Sequence, residues 1–191
     1  MTSSEQGEND PATRLAPYLR PGEKLVWYGR PDPDVRFSGA DLFLVPFSIM
    51  WGGFALFWEV GVLASGGPMF FALWGIPFVA GGLYLIFGRF IYKRRNKLRT
   101  AYGVTSNRAL VAIGGTTLHD SPLKQVPTSI RHSRDGRHVS VSFGSHSGRS
   151  VAAMYDNTGM DFFMRGGAPV AFYDVADPPA LLAALDQTQG R

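Results

Sequence analysis

Residues 41–88 read DLFLVPFSIMWGGFALFWEVGVLASGGPMFFALWGIPFVAGGLYLIFG, and this stretch decides the fold of the 191-residue chain. Two apolar runs, Leu42–Ala64 and Met69–Gly88, flank a Ser-Gly-Gly-Pro linker, and Glu59 is the one charged residue within them. At a helical rise of about 1.5 Å per residue the runs would be roughly 34 and 30 Å long, enough to cross a hydrocarbon core of about 30 Å. The sequence therefore predicts a transmembrane helical hairpin.

The overall composition conceals this hairpin. With 45% hydrophobic and 18% charged residues and a mean hydropathy of −0.02, the chain has the averages of one soluble domain. A hairpin buried in a soluble protein is disfavoured because the rest of the chain is too small to cover two helices that are apolar on every face. The absence of cysteine excludes disulfides, a cysteine-ligated zinc site and a cysteine nucleophile.

The second apolar run is followed by a strongly basic segment, whereas the linker between the runs has no basic residue. The segment contains Arg89, Lys93, Arg94, Arg95, Lys97 and Arg99. The positive-inside rule places this side, and with it both termini, in the cytoplasm, so that the chain crosses the cytoplasmic (inner) membrane twice. The segment has two open interpretations: a topology anchor alone, or an anchor that also contacts anionic lipid headgroups. Nucleic-acid binding is not expected, since no aromatic platform interleaves the charges.

Glu59 is the one ionisable residue well inside the apolar stretch. An intramembrane carboxylate can mark a proton or ion path. The alternative is that Glu59 lies close enough to the outer end of its helix to reach water, and the absence of an ionisable partner in the second run favours this alternative.

The polar parts of the chain lie on both sides of the hairpin. Residues 1–16 predict a disordered N-terminus, residues 17–40 a pre-membrane segment with a strand at Leu25–Tyr28, and the hairpin occupies residues 41–92. In residues 93–191 the periodicity changes to that of strands, and Asp177 then begins a C-terminal helix. Strands are expected at residues 100–104, 109–113, 116–119, 126–132, 139–143, 150–155 and 170–175. The predicted fold class is α+β: a membrane hairpin followed by a small antiparallel sheet or barrel that one helix caps.

Three short segments resemble those of bacterial membrane proteins with pleckstrin-homology-like (PH-like) domains. They are Pro-Gly-Glu-Lys-Leu-Val-Trp-Tyr-Gly-Arg-Pro at residues 21–31, Tyr-Gly-Val-Thr-Ser-Asn-Arg-Ala-Leu at 102–110, and Val-Ala-Phe-Tyr-Asp-Val at 170–175. The resemblance covers roughly residues 17–187 and implies two membrane helices with a cytosolic PH-like domain. It supplies no catalytic residues, and because PH-like domains bind lipid headgroups, peptides or proteins, the fold does not fix the function.

No arrangement of residues in the sequence predicts catalysis. Ser121 and Lys124 match the Ser-x-x-Lys motif of penicillin-recognising enzymes. The chemistry of that motif needs the serine at the start of a helix, whereas a strand and a turn are expected here. The four histidines, His119, His132, His138 and His146, lack paired metal-ligand spacing and are expected on polar surfaces. We therefore expect no cofactor, no metal and no enzymatic activity.

A second basic group surrounds the predicted β-hairpin that turns at Asp135-Gly136. Its members are Arg131, Arg134, Arg137 and Arg149. A solvated hairpin face is the simpler interpretation, and an anion or lipid-headgroup pocket is the alternative.

Taken together, these patterns predict a membrane-anchored PH-like binding or scaffolding protein. Its expected partners are the lipid bilayer, with anionic lipids, other membrane proteins or a second copy of the chain as candidates, and nucleic acid is not expected. The alternative is a small oligomeric transporter or channel subunit that uses Glu59, because two spans cannot form a pathway alone.

Overall fold

The structure is a computed structural model that describes residues 10–124, 126–144, 157–159 and 170–190. It has the α+β composition predicted from the sequence, with two long apolar helices, two antiparallel sheets and a C-terminal helix. The chain divides into two compact units: one comprises Met1–Val35, Arg94–Ala153 and Arg165–Arg191, and the other comprises Arg36–Lys93 and Met154–Met164. The predicted strand at residues 150–155 lies outside the described residues.

The described residues form five α-helices and seven β-strands, numbered in chain order. The helices are α1 (Pro11–Leu15, continued by a 3-10 turn at Ala16–Tyr18), α2 (Asp41–Ala64), α3 (Met69–Leu83, followed by a π-helical turn at Tyr84–Gly88), α4 (Arg89–Arg99) and α5 (Pro178–Gln189). The strands are β1 (Leu25–Gly29), β2 (Thr100–Thr105), β3 (Arg108–Ile113), β4 (Thr117–Pro122), β5 (Thr128–His132), β6 (Val139–Phe143) and β7 (Val170–Val175).

Two helices are long and apolar enough to cross a membrane. The first is α2, which begins one residue before the predicted span, and the second runs without interruption from Met69 to Arg99, well past the predicted end at Gly88. Only 11% of the residues in the most apolar window of each helix are buried within the protein, unlike the core helix of a soluble domain.

Small residues allow α2 and α3 to approach each other closely. A Cβ atom on Gly82 would lie 2.8 Å from the Cα atom of Gly52, so only glycine fits at this crossing. Ser48 and Ala55 are buried on the same face of α2, and the Ser48 hydroxyl donates to the Leu44 carbonyl oxygen over 2.5 Å. Small residues and satisfied hydroxyl groups are typical of contacts between membrane helices, where no hydrophobic effect drives association.

The unit that contains both sheets, which we call the soluble unit, has a hydrophobic core between these sheets. The first sheet has the strand order β1-β2-β3-β4 and the second the order β5-β6-β7, and all pairings are antiparallel. Phe172 lies at the centre of the core, where it stacks on Tyr102 at 4.7 Å between ring centroids and meets Phe143 edge-on at 5.1 Å. Leu181 and Leu185 of α5 are buried in the same cluster, as the apolar spacing of that helix predicts.

The N-terminal helix α1 corrects the prediction that residues 1–16 are disordered, for the part from residue 10 onward. The Asp10 carboxylate caps α1 by accepting from the Ala12 amide at 3.3 Å. Leu15 is fully buried against Ala101, Leu110 and Ala112, on the face of the first sheet opposite the main core. Because Leu15 is the one buried residue of α1, the sequence of this segment has no hydrophobic periodicity. Its polar composition alone therefore indicates disorder.

Strand β1 corrects the prediction that residues 93–191 alone form the soluble domain, although the predicted boundary lies within one residue of the division after Lys93. It belongs to the predicted pre-membrane segment, yet it pairs with β2 on the far side of the hairpin, with Trp27 opposite Val104 and Tyr28 opposite Gly103. The soluble unit is therefore assembled from residues on both sides of the two apolar helices. Smaller differences affect strand ends: β4 extends to Pro122, and β5 begins at Thr128.

A buried ion pair between Glu23 and Arg108 fixes this assembly. The Arg108 Nε and Nη2 atoms donate to the two Glu23 carboxylate oxygens, each over 2.9 Å, and Nη1 donates to Asp120 over 2.9 Å. The Thr105 hydroxyl donates to Glu23 Oε1 over 2.7 Å, and Nη2 also reaches the Tyr18 carbonyl oxygen. The Glu23 and Arg108 side chains are 3% and 7% exposed. We call this arrangement the Glu23–Arg108 clasp.

The clasp changes the titration of both its members. The Arg108 guanidinium holds the pKa of Glu23 at about 2, below the usual 4.5, and the Arg20 amide and the Thr105 hydroxyl add to this effect against the opposing effect of burial. The hydrogen bonds from Arg108 to Glu23 likewise raise the pKa of Arg108 above its usual value. The carboxylate is thus ionised at any pH near neutrality.

We predict that the free energy of unfolding changes less steeply with pH in the Glu23→Gln variant than in the wild type. A carboxylate whose pKa is depressed on folding stabilises the protein above its unfolded pKa, and this stability is lost as pH falls through the folded pKa. Between pH 4.5 and about 2 the wild type should therefore lose stability more steeply than the variant, which starts less stable at neutral pH. Urea unfolding of the full chain in detergent, followed by tryptophan fluorescence across this range, measures both slopes. Equal slopes would contradict the assignment.

Candidate functional site

The basic segment after the second apolar run divides into two faces of α4. Arg89, Lys93 and Lys97 are buried, whereas Arg94, Arg95 and Arg99 are exposed. The buried residues are four positions apart, and residues at this spacing share one face of a helix. The six residues form one group in the sequence, but the structure gives the two sets different surroundings.

Arg89 forms a buried ion pair with Asp41 at the first turn of α2. The side chains are 1% and 4% exposed, and the contact is between Nη1 and Oδ1. The Arg89 Nε atom donates to the Leu85 carbonyl oxygen over 2.8 Å, and the guanidinium carbon lies 4.2 Å from the centre of the Phe90 ring. The same Asp41 carboxylate accepts from the Ser38 hydroxyl at 2.9 Å. Arg89 thus joins the first turn of α2 to the start of α4.

Lys93 and Lys97 donate to the segment that precedes α2. The Lys93 ammonium reaches the Arg36 carbonyl oxygen over 3.0 Å. The Lys97 ammonium donates to the Val35 carbonyl oxygen over 2.7 Å and to the Asp32 carbonyl oxygen over 2.9 Å.

Lys97 has a third acceptor, which completes its hydrogen bonding. Its ammonium donates to Asp174 Oδ2 over 2.6 Å, so all three donors are used. Asp174 has a φ of 53°, a left-handed conformation that is uncommon for residues other than glycine. The ion pair with Lys97 and the hydrogen bond from the Asp174 amide to the Ser140 hydroxyl, at 3.1 Å, hold the residue in this conformation.

Four exposed residues of α4 lie close together after Lys93, namely Arg94, Arg95, Leu98 and Arg99, and we call them the outer basic face. In the described part of the chain none of the three guanidinium groups has an ion pair or a hydrogen bond. Leu98 is 45% exposed among them. This face therefore presents three guanidinium groups and one apolar side chain to the surroundings.

A groove of about 670 Å³ lies between the β5–β6 turn and the start of α5. Its lining includes the polar residues Asp32, His132 and His138 and the apolar residues Pro178, Pro179 and Leu182. His138 Nε2 lies 2.8 Å from Asp32 Oδ2. Burial acts to raise the pKa of Asp32, but hydrogen bonds from the Asp34 amide and from His138 outweigh it, so the pKa lies below the usual value.

The predicted basic group on the β5–β6 hairpin does not converge on this groove. Arg131 and Arg134 are exposed on the hairpin, and of the described members only Arg137 lines the groove. The Arg137 Nε atom donates to Asp135 over 2.8 Å, and hydrogen bonds from Ser133 and Arg137 lower the pKa of Asp135. Arg149 lies outside the described residues.

Two of the histidines are brought together, and the others are not. His132 and His138 both line the groove, whereas His119 lies on β4 and His146 lies outside the described residues. Within residues 10–124, 126–144, 157–159 and 170–190, no group of three or more histidine, aspartate or glutamate side chains could hold a metal ion.

Glu59 is directed toward α3 inside the helix pair. Its carboxylate occupies the space that a side chain at Gly75 would take, and Oε2 is buried without a hydrogen-bond partner in the described chain. Oε2 lies against Gly75 of α3, whereas the residue as a whole is half-buried, so the contact of Glu59 with water at the outer end of α2 stays a prediction.

The acidic partners of these basic residues are not evident from the sequence. Asp41 is 48 positions from Arg89, Asp174 is 77 from Lys97, and Glu23 is 85 from Arg108. Acids so distant in sequence have no spacing signal that links them to a particular base. The one available clue is that Glu23 and Arg108 each lie within one of the segments that carry the family resemblance.

Comparison of the chain with protein-family models, with curated proteins and with solved structures gives no match. The function is therefore argued from the fold and from the residues described above.

We predict that Asp41→Asn destabilises the helix pair by about 3–5 kcal/mol, because removal of one partner leaves the other charge buried and uncompensated. Titration of the full chain with a denaturing detergent in mixed micelles, followed by circular dichroism, measures the loss. Asp34→Asn, which changes an exposed acid in the segment before α2, is the control. A loss no larger than that of the control would mean that the pair adds nothing to stability.

Proposed function

We propose that the chain is a membrane-anchored, non-enzymatic binding or scaffolding protein whose PH-like unit lies at the cytoplasmic face of the cytoplasmic membrane. The observation that carries the proposal is the position of the two apolar helices, which are inserted between β1 and β2 of one folded unit. Since both ends of the hairpin lead into the same unit, a membrane that the hairpin crosses would hold that unit on one side.

The strand arrangement supports the PH-like assignment. Antiparallel sheets of four and three strands are followed by a C-terminal helix, which agrees with the small antiparallel sheet or barrel capped by one helix that the sequence predicts. The two segments quoted for the resemblance at residues 21–31 and 102–110 also meet in three dimensions, through β1–β2 pairing and the Glu23–Arg108 clasp.

The surface of the helix pair supports membrane insertion. Large apolar side chains such as Phe54, Phe57, Leu73 and Trp74 are exposed along α2 and α3, and water would disfavour so extensive an apolar surface. The linker at residues 65–68 has no charged residue, whereas the opposite end has the basic segment. This distribution favours cytoplasmic termini.

The described residues favour binding over catalysis. Ser121 lies on strand β4, so Lys124 is not placed one helical turn from its hydroxyl, as the Ser-x-x-Lys chemistry requires. The groove beside His138 combines polar groups with an apolar wall, which is typical of a surface that contacts another molecule.

A transporter or channel subunit is the second candidate, and the unpartnered Oε2 atom of Glu59 favours it. Against it, the backbones of Gly52 and Gly82 touch, so a single hairpin has no room for a pathway between its helices. Transport would therefore need several copies, and we rank anchoring first.

Single cysteines test the proposed topology, because the native chain has none. Ser65→Cys lies in the linker and Ser129→Cys lies on the exposed strand β5. In intact spheroplasts a membrane-impermeant maleimide should label position 65 alone, and after lysis it should label both. Labelling of position 129 before lysis would overturn the orientation, and equal labelling of both positions throughout would overturn insertion.

A further inference from the structure

We propose that the outer basic face is a binding surface for anionic lipid headgroups, formed by Arg94, Arg95, Leu98 and Arg99. This inference rests on the proposed function, since it requires that the hairpin spans the bilayer. It narrows the six basic residues predicted from the sequence to three, and it names the lipid phosphate as the group that they contact.

The arginines of the outer basic face have donors that are accessible from outside the protein, whereas the buried basic residues are directed inward, including the Nη2 atom of Arg89, which has no hydrogen-bond partner in the described chain. Lys97 uses all three of its donors on Asp174, Val35 and Asp32, and Arg89 is 1% exposed and paired with Asp41. The guanidinium groups of the outer basic face have no partner among the described residues. Each can thus form two parallel hydrogen bonds to phosphate oxygens, the geometry for which arginine is suited.

The position of the face along the helix also suits headgroup contact. The helix that contains the second apolar run continues without a break to Arg99. At about 1.5 Å per residue, Arg94 lies about 9 Å and Arg99 about 16 Å beyond Gly88 along the axis, and the polar zone of a bilayer is about 5–8 Å deep on each side, so Arg94 and Arg95 lie nearest to it. In an α-helix each Cα–Cβ bond tilts toward the N-terminus, which here is the membrane end, so the long arginine side chains reach back toward the headgroups.

An exposed leucine lies among the arginines. Leu98 follows Arg94 by four positions and Arg95 by three, so the three side chains share one face. A solvated charged face would gain nothing from an exposed leucine, whereas an apolar side chain flanked by cations is typical of a surface that rests on the membrane interface.

Lipid selectivity of the reconstituted full chain tests the inference. The probes are spin-labelled phosphatidylglycerol and spin-labelled phosphatidylcholine, each added to phosphatidylcholine bilayers that contain the protein. We expect the wild type to associate with phosphatidylglycerol several-fold more strongly, with at most about a fivefold contribution from each arginine. The preference should decrease as salt is added, because ions screen exposed charges.

Two triple variants test whether the preference for phosphatidylglycerol depends on the arginines of the outer basic face. Arg94→Gln/Arg95→Gln/Arg99→Gln removes the charges of the outer basic face and should abolish the preference for phosphatidylglycerol. Lys124→Gln/Arg131→Gln/Arg134→Gln removes three exposed basic residues that lie outside α4 and should keep it. An unchanged preference in the first variant, or an equal loss in both, would overturn the inference.

The same spectra separate failure of the inference from failure of the proposed function. A protein that spans the bilayer immobilises lipid of either kind, so a motionally restricted phosphatidylcholine component reports insertion. Restricted phosphatidylcholine without a preference for phosphatidylglycerol would reject the lipid site alone. If no restricted component were present with either probe, the membrane anchor itself would be rejected, and the lipid site with it.

Discussion

Strand β1 precedes the two apolar helices and β2 follows them, yet the strands pair with each other, and the soluble unit depends on this pairing. Closing so long an intervening segment costs conformational entropy, although the cost grows slowly with length. A hairpin that forms first would shorten the effective loop, because it brings residues 35 and 94 to the same end. The Glu23–Arg108 clasp then joins the two segments, and its two parallel hydrogen bonds fix their register.

Ion pairs and hydrogen bonds within the chain also determine which basic residues can contact lipids or other molecules. Three of the six basic residues on α4 donate to acids or carbonyl oxygens elsewhere in the chain. The charges that remain outside are those of Arg94, Arg95 and Arg99. A count of lysine and arginine near a membrane span serves to predict orientation, but it overstates the charge that can interact with lipids. Basic residues that are buried or hydrogen-bonded within the protein do not contribute to that interaction.

The elements of the fold were predictable from the sequence, and their assembly was less so. The apolar runs, the period-two pattern at Val139–Phe143 and the cap at Asp177 each depend on neighbouring residues, and each corresponds to an element of the structure. The pairing of β1 with β2 and the burial of Leu15 depend on contacts between distant residues. No local pattern encodes such contacts, so the prediction that the pre-membrane segment is separate from the soluble domain and the predicted disorder of residues 10–16 are wrong.

For the candidate site, too, the residues were predictable from the sequence and their arrangement was not. The basic segment is evident from composition, but its separation into two faces requires the helix to continue beyond Gly88. The uncharged run ends at Gly88, because Arg89 follows, and a prediction based on hydropathy therefore ends the second span there. The partners Asp41 and Asp174 become apparent only from the fold, since each lies on a different element from the base it neutralises.

Hydrogen–deuterium exchange of the full chain in a bilayer nanodisc tests most directly whether residues on both sides of the hairpin form one folded unit. We predict that amides of β1, at Leu25–Gly29, are protected and become exposed together with those of β2 and β3 as denaturant is added, since paired strands of one cooperative unit open together. If β1 exchanged freely while β2 and β3 stayed protected, the soluble unit would be complete without the pre-membrane segment, which would contradict the assembly described above.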